Sequence, residues 1–244
     1  MAIERITYAC GGRSYSGALV WDEKVTARRP LMLMSPNWLG VTPDAIKRTQ
    51  MMCADRFVGF VADMYGDGKT VKGPPESAQL ADAVRNDPLE RRRRIIAALD
   101  TLTAEATRRG IGDATKRAAV GFCFGGGNVL ELARAGVELS AVIALHSDLV
   151  TPMPATTKGQ IKSPVLIVHG SKDPVVPKAH RDAVEAEMEA VGAKWQMLTF
   201  GGLVHSFCEE ENPVPGIAEF DAAAARQSYA MIQRYIEDGL AGRL

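Results

Sequence analysis

Short apolar runs bounded by turn residues alternate with amphipathic segments almost to the end of this chain. That alternation leaves few folds open, because strands that are apolar on both faces need helices over each side of a mostly parallel sheet. The runs at 3–8 and 15–20 flank Cys10-Gly11-Gly12-Arg13 and read as an opening antiparallel hairpin. Further strands are expected at 30–34, 58–63, 117–122, 140–145, 163–168 and 194–200. Thr42-Pro43-Asp44 has a capping residue followed by a proline suited to the first helical position, and Asp87-Pro88 opens a long helix running towards Arg109-Gly110. Helices are also expected at 128–134, 178–190 and 220–236, and the Gly-, Pro-, Lys- and Ser-rich stretch 66–79 reads as a loop. No internal repeat or long linker interrupts the pattern. The reading is one doubly wound, mostly parallel α/β domain over 1–244 with an antiparallel N-terminal hairpin.

A chain of 244 residues with 46% hydrophobic content can bury a substantial core. Its formal net charge of zero gives no electrostatic footprint for nucleic acid or an anionic membrane. No apolar run approaches membrane-spanning length. Met1-Ala2-Ile3-Glu4-Arg5 has an acid and no apolar core, so no secretory signal is expected. The four cysteines, Cys10, Cys53, Cys123 and Cys208, lack C-x-x-C spacing, which points away from zinc and from a disulfide framework and towards a reducing cytoplasm. The oligomeric state is not readable.

Cys123 lies in Val120-Gly121-Phe122-Cys123-Phe124-Gly125-Gly126-Gly127, between a short strand and a helix. That is a nucleophile elbow with a thiol in the central place. The turn is sharp, and side chains two positions either side would strike the neighbouring backbone, so Gly121 and Gly125 clear the space. A thiol at a helix N-terminus has the dipole and free N–H groups in its favour, so a thiolate is expected below the usual cysteine range. The Phe124 amide points the same way, and the Trp38 amide, in the loop Ser35-Pro36-Asn37-Trp38-Leu39-Gly40 after the third strand, is the candidate second oxyanion donor. His205 follows the last strand and is the candidate base. Asp173 follows an earlier strand in Gly170-Ser171-Lys172-Asp173-Pro174 and would hold the imidazole tautomer, with Asp148 in reserve. All three fall in turns after strands, where ligands of such sheets bind.

The other candidates read more simply. Cys53 sits among Met51, Met52 and Ala54 and, like Cys10, reads as a small packing residue. His169 ends a strand and is expected to bond locally, His180 sits on an amphipathic helix, and His146 ends another strand as a candidate for the pocket wall. Arg91 to Arg94 point round the whole helix, so they make no flat basic patch; a solvated face with one packed stem is expected. A thiolate leaves more readily than an alkoxide, so the substrate needs a good leaving group or prompt protonation. Enol lactones, aryl esters and thioesters meet that need.

Four segments together, Gly121-Phe122-Cys123-Phe124-Gly125-Gly126, Ala62-Asp63-Met64-Tyr65-Gly66, His169-Gly170-Ser171-Lys172-Asp173 and Val204-His205-Ser206-Phe207, resemble the dienelactone hydrolase (carboxymethylenebutenolidase) family. The resemblance implies the α/β-hydrolase fold, hydrolysis of enol lactones without metal or cofactor, a Cys123-Asp173-His205 triad and an oxyanion hole near Trp38 and Phe124. It also marks two departures. Asn37 stands where dienelactone-hydrolysing members carry a glutamate that keeps the resting thiol neutral, which implies a standing Cys123–His205 pair here. Cys208-Glu209-Glu210-Glu211 stands where those members place an arginine for a substrate carboxylate, leaving Arg85 as a compensating candidate. Asn37, Tyr65, Arg85, His146 and Phe207 are the expected substrate-binding residues, and loops 66–79, 148–160 and 208–219 the expected pocket mouth. The expected function is cofactor-free hydrolysis of a small-molecule ester or lactone. The alternatives are a thioesterase or aryl esterase outside aromatic catabolism, and a non-catalytic small-molecule binder or redox-sensing thiol protein using Cys123 and Cys208.

Overall fold

The computed structural model describes residues 1–211 and 213–244; Asn212, inside the expected pocket-mouth loop 208–219, lies outside the described residues. The chain divides into two compact units, Met1–Ala119 and Val120–Leu244.

In the first unit, β1 (Ala2–Cys10) and β2 (Arg13–Trp21) form the expected antiparallel hairpin, with Cys10 opposite Arg13. Gly11 and Gly12 both take positive φ (56° and 75°), the backbone a two-residue hairpin turn demands. β3 (Arg29–Ser35) runs parallel to β4 (Val58–Val61), and β2 pairs with β4 antiparallel. Between them α1 (Pro43–Cys53) starts as its sequence predicts: Thr42 Oγ1 accepts from Ala45 N–H at 3.1 Å and Pro43 fills the first turn. α3 (Pro88–Arg108) begins likewise, with Asp87 accepting from Glu90 N–H at 3.0 Å. β5 (Gly112–Phe122) follows and runs on into the second unit, and the strand order here is β1-β2-β4-β3-β5.

Three expectations change in this unit, the first being that β5 begins at Gly112 rather than 117. β4 ends at Val61 rather than 63, because the buried Asp63 carboxylate gathers the N–H groups of Ser16, Tyr65, Gly66 and Gly68 at 2.7–2.9 Å and turns the chain. The loop expected over 66–79 gives way at Glu76 to a helix, α2 (Glu76–Arg85), whose Pro75 cap offers no side-chain hydrogen bond and whose buried stripe is only Ser77, Ala81 and Val84. The arginine run of α3 does point round the helix. Arg91 is buried and Arg93 exposed, while Arg94 bonds Glu90 and the Met64 carbonyl and lies over the Tyr15 ring.

The second unit continues from β5 through α4 (Phe124–Arg134), β6 (Ala141–Leu145), β7 (Val165–Gly170), α5 (Lys178–Val191), β8 (Trp195–Phe200) and α6 (Ala222–Leu240). Strand order is β5-β6-β7-β8, with β6, β7 and β8 parallel. Every residue of β6 and β7 is buried, as strands covered on both faces must be. β8 is half-exposed at the edge. The whole is the expected mostly parallel α/β fold with its antiparallel start. Among the described residues no helix is long and apolar enough to cross a membrane.

α4 is buried along its entire length, charged residues included. Its last residue, Arg134, places Nε and Nη2 on the two carboxylate oxygens of Glu187 (2.9 and 2.7 Å), Nη1 on Glu131 (3.1 Å) and Nη2 also on the Leu149 carbonyl (2.7 Å). Glu187 in turn accepts from Ala155 N–H at 2.7 Å. This buried network ties the segment after β6 to α4 and α5. Only a fully bonded pair of charges is tolerated at such depth.

Candidate active site

Cys123 stands between the end of β5 and the start of α4 with φ 52° and ψ −121°, a sparsely populated backbone for any residue with a side chain. The glycines around it explain how the turn closes. A Cβ on Gly121 would lie 2.2 Å from the Gly125 carbonyl oxygen, and one on Gly126 would lie 1.6 Å from Ser147 Oγ. Thus Gly126, packed against the residue after His146, is as necessary as Gly121. Cys123 N–H donates to the Leu145 carbonyl at 3.0 Å, which locks the elbow to the end of β6. The residue as a whole keeps a small exposed fraction, 8%.

Asp173 follows β7 in a turn where backbone runs close to backbone: a Cβ on Gly170 would lie 2.5 Å from the Leu203 carbonyl oxygen. Its Oδ1 accepts from the N–H groups of Val175 and Val176 at 2.8 and 3.0 Å, which leaves Oδ2 aimed at His205 Nδ1, 2.7 Å away. His205 is held from both sides of its backbone, its N–H donating to Ile217 and its carbonyl accepting from Glu219. Its Nε2 lies 3.0 Å from Cys123 Sγ. Thiol, imidazole and carboxylate therefore form one buried line, all from turns that follow strands. Burial by itself would depress the His205 imidazole. The charge interaction with Cys123, the Asp173 hydrogen bond and the bond to Cys123 outweigh it and hold His205 well above the ordinary histidine range.

The remaining candidates fall in several places. His146 follows β6 with φ 37° and is fully buried; its ring meets those of His205 (5.5 Å between centroids), Phe207 (5.2 Å) and Phe122 (6.0 Å). Phe207 is also fully buried, as is Phe124 at the first position of α4. His169 bonds locally as expected, its Nε2 3.2 Å from the Val176 carbonyl, and burial pushes its imidazole down. Cys53 is sealed in the core and burial pushes its thiol up to about 12; Cys10 shifts the same way for the same reason. Glu209, in the segment that stands where other members are expected to carry an arginine, turns inward: its side chain is 1% exposed with Oε2 4.0 Å from His146 Nδ1.

Trp38, Asn37, Tyr65 and Arg85 belong to the first unit. There the Asn37 side-chain oxygen accepts from Leu39 N–H at 3.0 Å, and the Tyr65 hydroxyl donates to the Trp38 carbonyl at 2.9 Å. Both ends of the Trp38–Leu39 peptide are thereby fixed. Arg85 bonds Asp82, three residues back on its own helix. Sequence reasoning missed the Arg134–Glu187 network and the inward turn of Glu209. A Glu131/Arg134 spacing inside an otherwise apolar helix was the one available hint for the first.

Residues 17–238 match the model of the Dienelactone hydrolase family. A protein of Yersinia pestis named "Putative carboxymethylenebutenolidase" is 27% identical over 128 residues, covering 50% of this chain and 48% of that protein. The chain thus spans about half the length of the curated relatives it matches. Among solved structures, the dienelactone hydrolase-like promiscuous phosphotriesterase P91 from metagenomic libraries is 33% identical with a TM-score of 0.88, covering 97% of this chain and 98% of that one. A structure called m3DLH is 30% identical with a TM-score of 0.89 and the same coverage.

Proposed function

The chain belongs to the dienelactone hydrolase family, and from that premise we propose that it hydrolyses a carboxylic ester, an enol lactone or another activated ester, through an acyl-enzyme on Cys123. The observation that carries the reading is the line Cys123 Sγ···His205 Nε2 at 3.0 Å and His205 Nδ1···Asp173 Oδ2 at 2.7 Å, built on a strained elbow at a helix N-terminus.

In the proposed cycle the Cys123 thiolate attacks the ester carbonyl, and the carbonyl electrons move to oxygen. The Phe124 and Trp38 amides are the proposed donors to that oxyanion, each worth about 10²–10³ in rate. The tetrahedral species collapses by breaking the carbon–oxygen ester bond. His205 gives its proton to the departing oxygen, which for a lactone stays tethered to the acyl chain. His205, now neutral, takes a proton from water as the water attacks the thioester. The thiolate leaves and the imidazolium is restored. Asp173 keeps Nδ1–H fixed throughout, so that Nε2 alone exchanges the proton.

The 33% identity to the phosphotriesterase P91 supports a second substrate class, phosphotriesters, in which the same thiolate would attack phosphorus and one ester oxygen would leave with the His205 proton. A panel of cis- and trans-dienelactone, a neutral lactone, nitrophenyl esters, a thioester and a nitrophenyl phosphotriester, run on wild type and Cys123→Ala, tests both. Saturable turnover that falls to background in Cys123→Ala is the expected result. Full turnover in that variant overturns the reading, as does a peroxide-induced Cys123–Cys208 bond in a protein that turns over none of the panel.

A further inference from the structure

His169, at the end of β7, makes a hydrogen bond that the proposed cycle does not use. The imidazole is fully buried, and its Nε2 lies 3.2 Å from the Val176 carbonyl. A carbonyl oxygen only accepts, so Nε2 carries the proton and Nδ1 is a bare lone pair. That nitrogen is buried and finds no hydrogen-bond partner among the described residues. A second proton would bury an unbonded N–H and add a positive charge close to Arg181 and His205, so the ring stays neutral; burial pushes its titration down in the same sense. The residue that His169 holds also holds Asp173. Val176 N–H, together with that of Val175, donates to Asp173 Oδ1 at 3.0 and 2.8 Å, which turns Oδ2 to His205 Nδ1 at 2.7 Å. Pro174 and Pro177 on either side have no N–H to give, and α5 starts behind Pro177 without a side-chain cap.

We propose that His169 is a positioning residue for the reaction: by donating from Nε2 to the Val176 carbonyl it fixes the turn that presents Asp173 to His205. The inference rests on the triad reading above. Its parts stand in one series, from His169 through Val176, Asp173 and His205 to the Cys123 sulfur. His169 acts through the direction of one carboxylate and touches neither substrate nor sulfur. With the turn loosened, Oδ2 supports the His205 imidazolium less well, and the imidazolium gives up its proton at lower pH. The Cys123 thiol ionises with that imidazolium charged before and after, so its titration is not moved by the same change. The other ionisable groups facing His169 and His205 are Cys123, Asp173, Arg181 of α5 and His146, which has Glu209 Oε2 4.0 Å from its Nδ1.

The test is the pH profile of kcat/KM for His169→Phe and His169→Gln, with nitrophenyl acetate as the probe ester. Phenylalanine keeps a buried ring and removes the donor; glutamine loses the ring and keeps an N–H at the reach of Nε2. In His169→Phe the alkaline limb should move down by about half a unit to one unit, the worth of one modest hydrogen bond, and the plateau should fall about three- to tenfold, while the acid limb stays where wild type has it. His169→Gln should bring the alkaline limb most of the way back. Added to Asp173→Asn, His169→Phe should lower kcat/KM by less than about twofold, because its effect passes through the carboxylate. Melting temperatures and far-UV spectra identify any variant that fails to fold, and His169→Leu, smaller and equally without a donor, serves where phenylalanine overpacks the site. A reduced folded fraction lowers the whole profile without moving one limb. A folded donor-less variant whose alkaline limb stays at the wild-type pH overturns the proposal, as does a glutamine variant shifted as far as the donor-less one. Activity that survives in Cys123→Ala would instead overturn the triad reading beneath it, so the two failures are distinct.

Discussion

Replacing Asp173 by asparagine gives a prediction whose direction the surrounding hydrogen bonds dictate. Oδ1 of Asp173 accepts from two backbone N–H groups, Val175 and Val176. The amide oxygen of asparagine can keep both bonds, and its NH₂ cannot. The NH₂ must therefore take the Oδ2 position and face His205 Nδ1, 2.7 Å away. A donor there forces the imidazole to accept at Nδ1 and to carry its proton on Nε2, the atom facing the Cys123 sulfur. That tautomer cannot receive a proton from water or thiol. The variant loses one charge-assisted hydrogen bond, about 1.5–3 kcal/mol, and the attraction between carboxylate and imidazolium, several kcal/mol at short range before relaxation. A net loss of about 3–5 kcal/mol is about 10²–10⁴ in kcat/KM. The assay is nitrophenyl ester hydrolysis, with melting curves as the fold control. Stability should also respond to pH with a definite sign. His205 titrates above its unfolded value, so the stability it contributes is full below the unfolded value of about 6.5 and is lost as pH rises through the folded one. Asp173→Asn should thus lower the melting temperature more near pH 6 than at strongly alkaline pH. A variant keeping more than about a tenth of wild-type kcat/KM would refute the tautomer argument.

Two packing predictions follow from the same unit. Gly126→Ala drives a methyl group to 1.6 Å from Ser147 Oγ and 2.5 Å from its Cβ, so it should cost at least about 2–3 kcal/mol in denaturant unfolding, whereas Gly201→Ala, with open space around it, should change stability by well under about 1 kcal/mol. Arg134→Met strands the carboxylates of Glu187 and Glu131 in the interior and should cost about 3–5 kcal/mol; adding Glu187→Met should recover part of that loss, because the costly species is the unpaired charge.

The parts of this protein that were legible in its sequence are those with local causes. Thr42-Pro43 and Asp87-Pro88 announce helix starts because a cap needs only a side-chain oxygen three residues before a free N–H. Gly11-Gly12 announces the hairpin turn for an equally local reason. The elbow is legible because strand, small residues, thiol and helix lie consecutively, and the order of Cys123, Asp173 and His205 along the chain anticipated the line they form. What escaped has non-local causes. α2 begins without a side-chain cap behind a Gly- and Pro-rich approach, so nothing nearby marks its start. Asp63 draws one of its four donors, Ser16, from 47 residues away. Arg134 finds Glu187 across 53 residues, and Glu209 finds His146 across the turn of the last loop. The Tyr65 hydroxyl reaches the Trp38 carbonyl across 27 residues, a bond that residue type alone does not disclose.

The most direct test of the central claim is to look for the covalent intermediate itself. Wild-type protein mixed with an excess of nitrophenyl ester and quenched in acid within milliseconds should gain the mass of one acyl group, and peptide mapping should place that group on Cys123. Rapid release of acid product with no acyl adduct at Cys123, or an adduct on another residue, would contradict it.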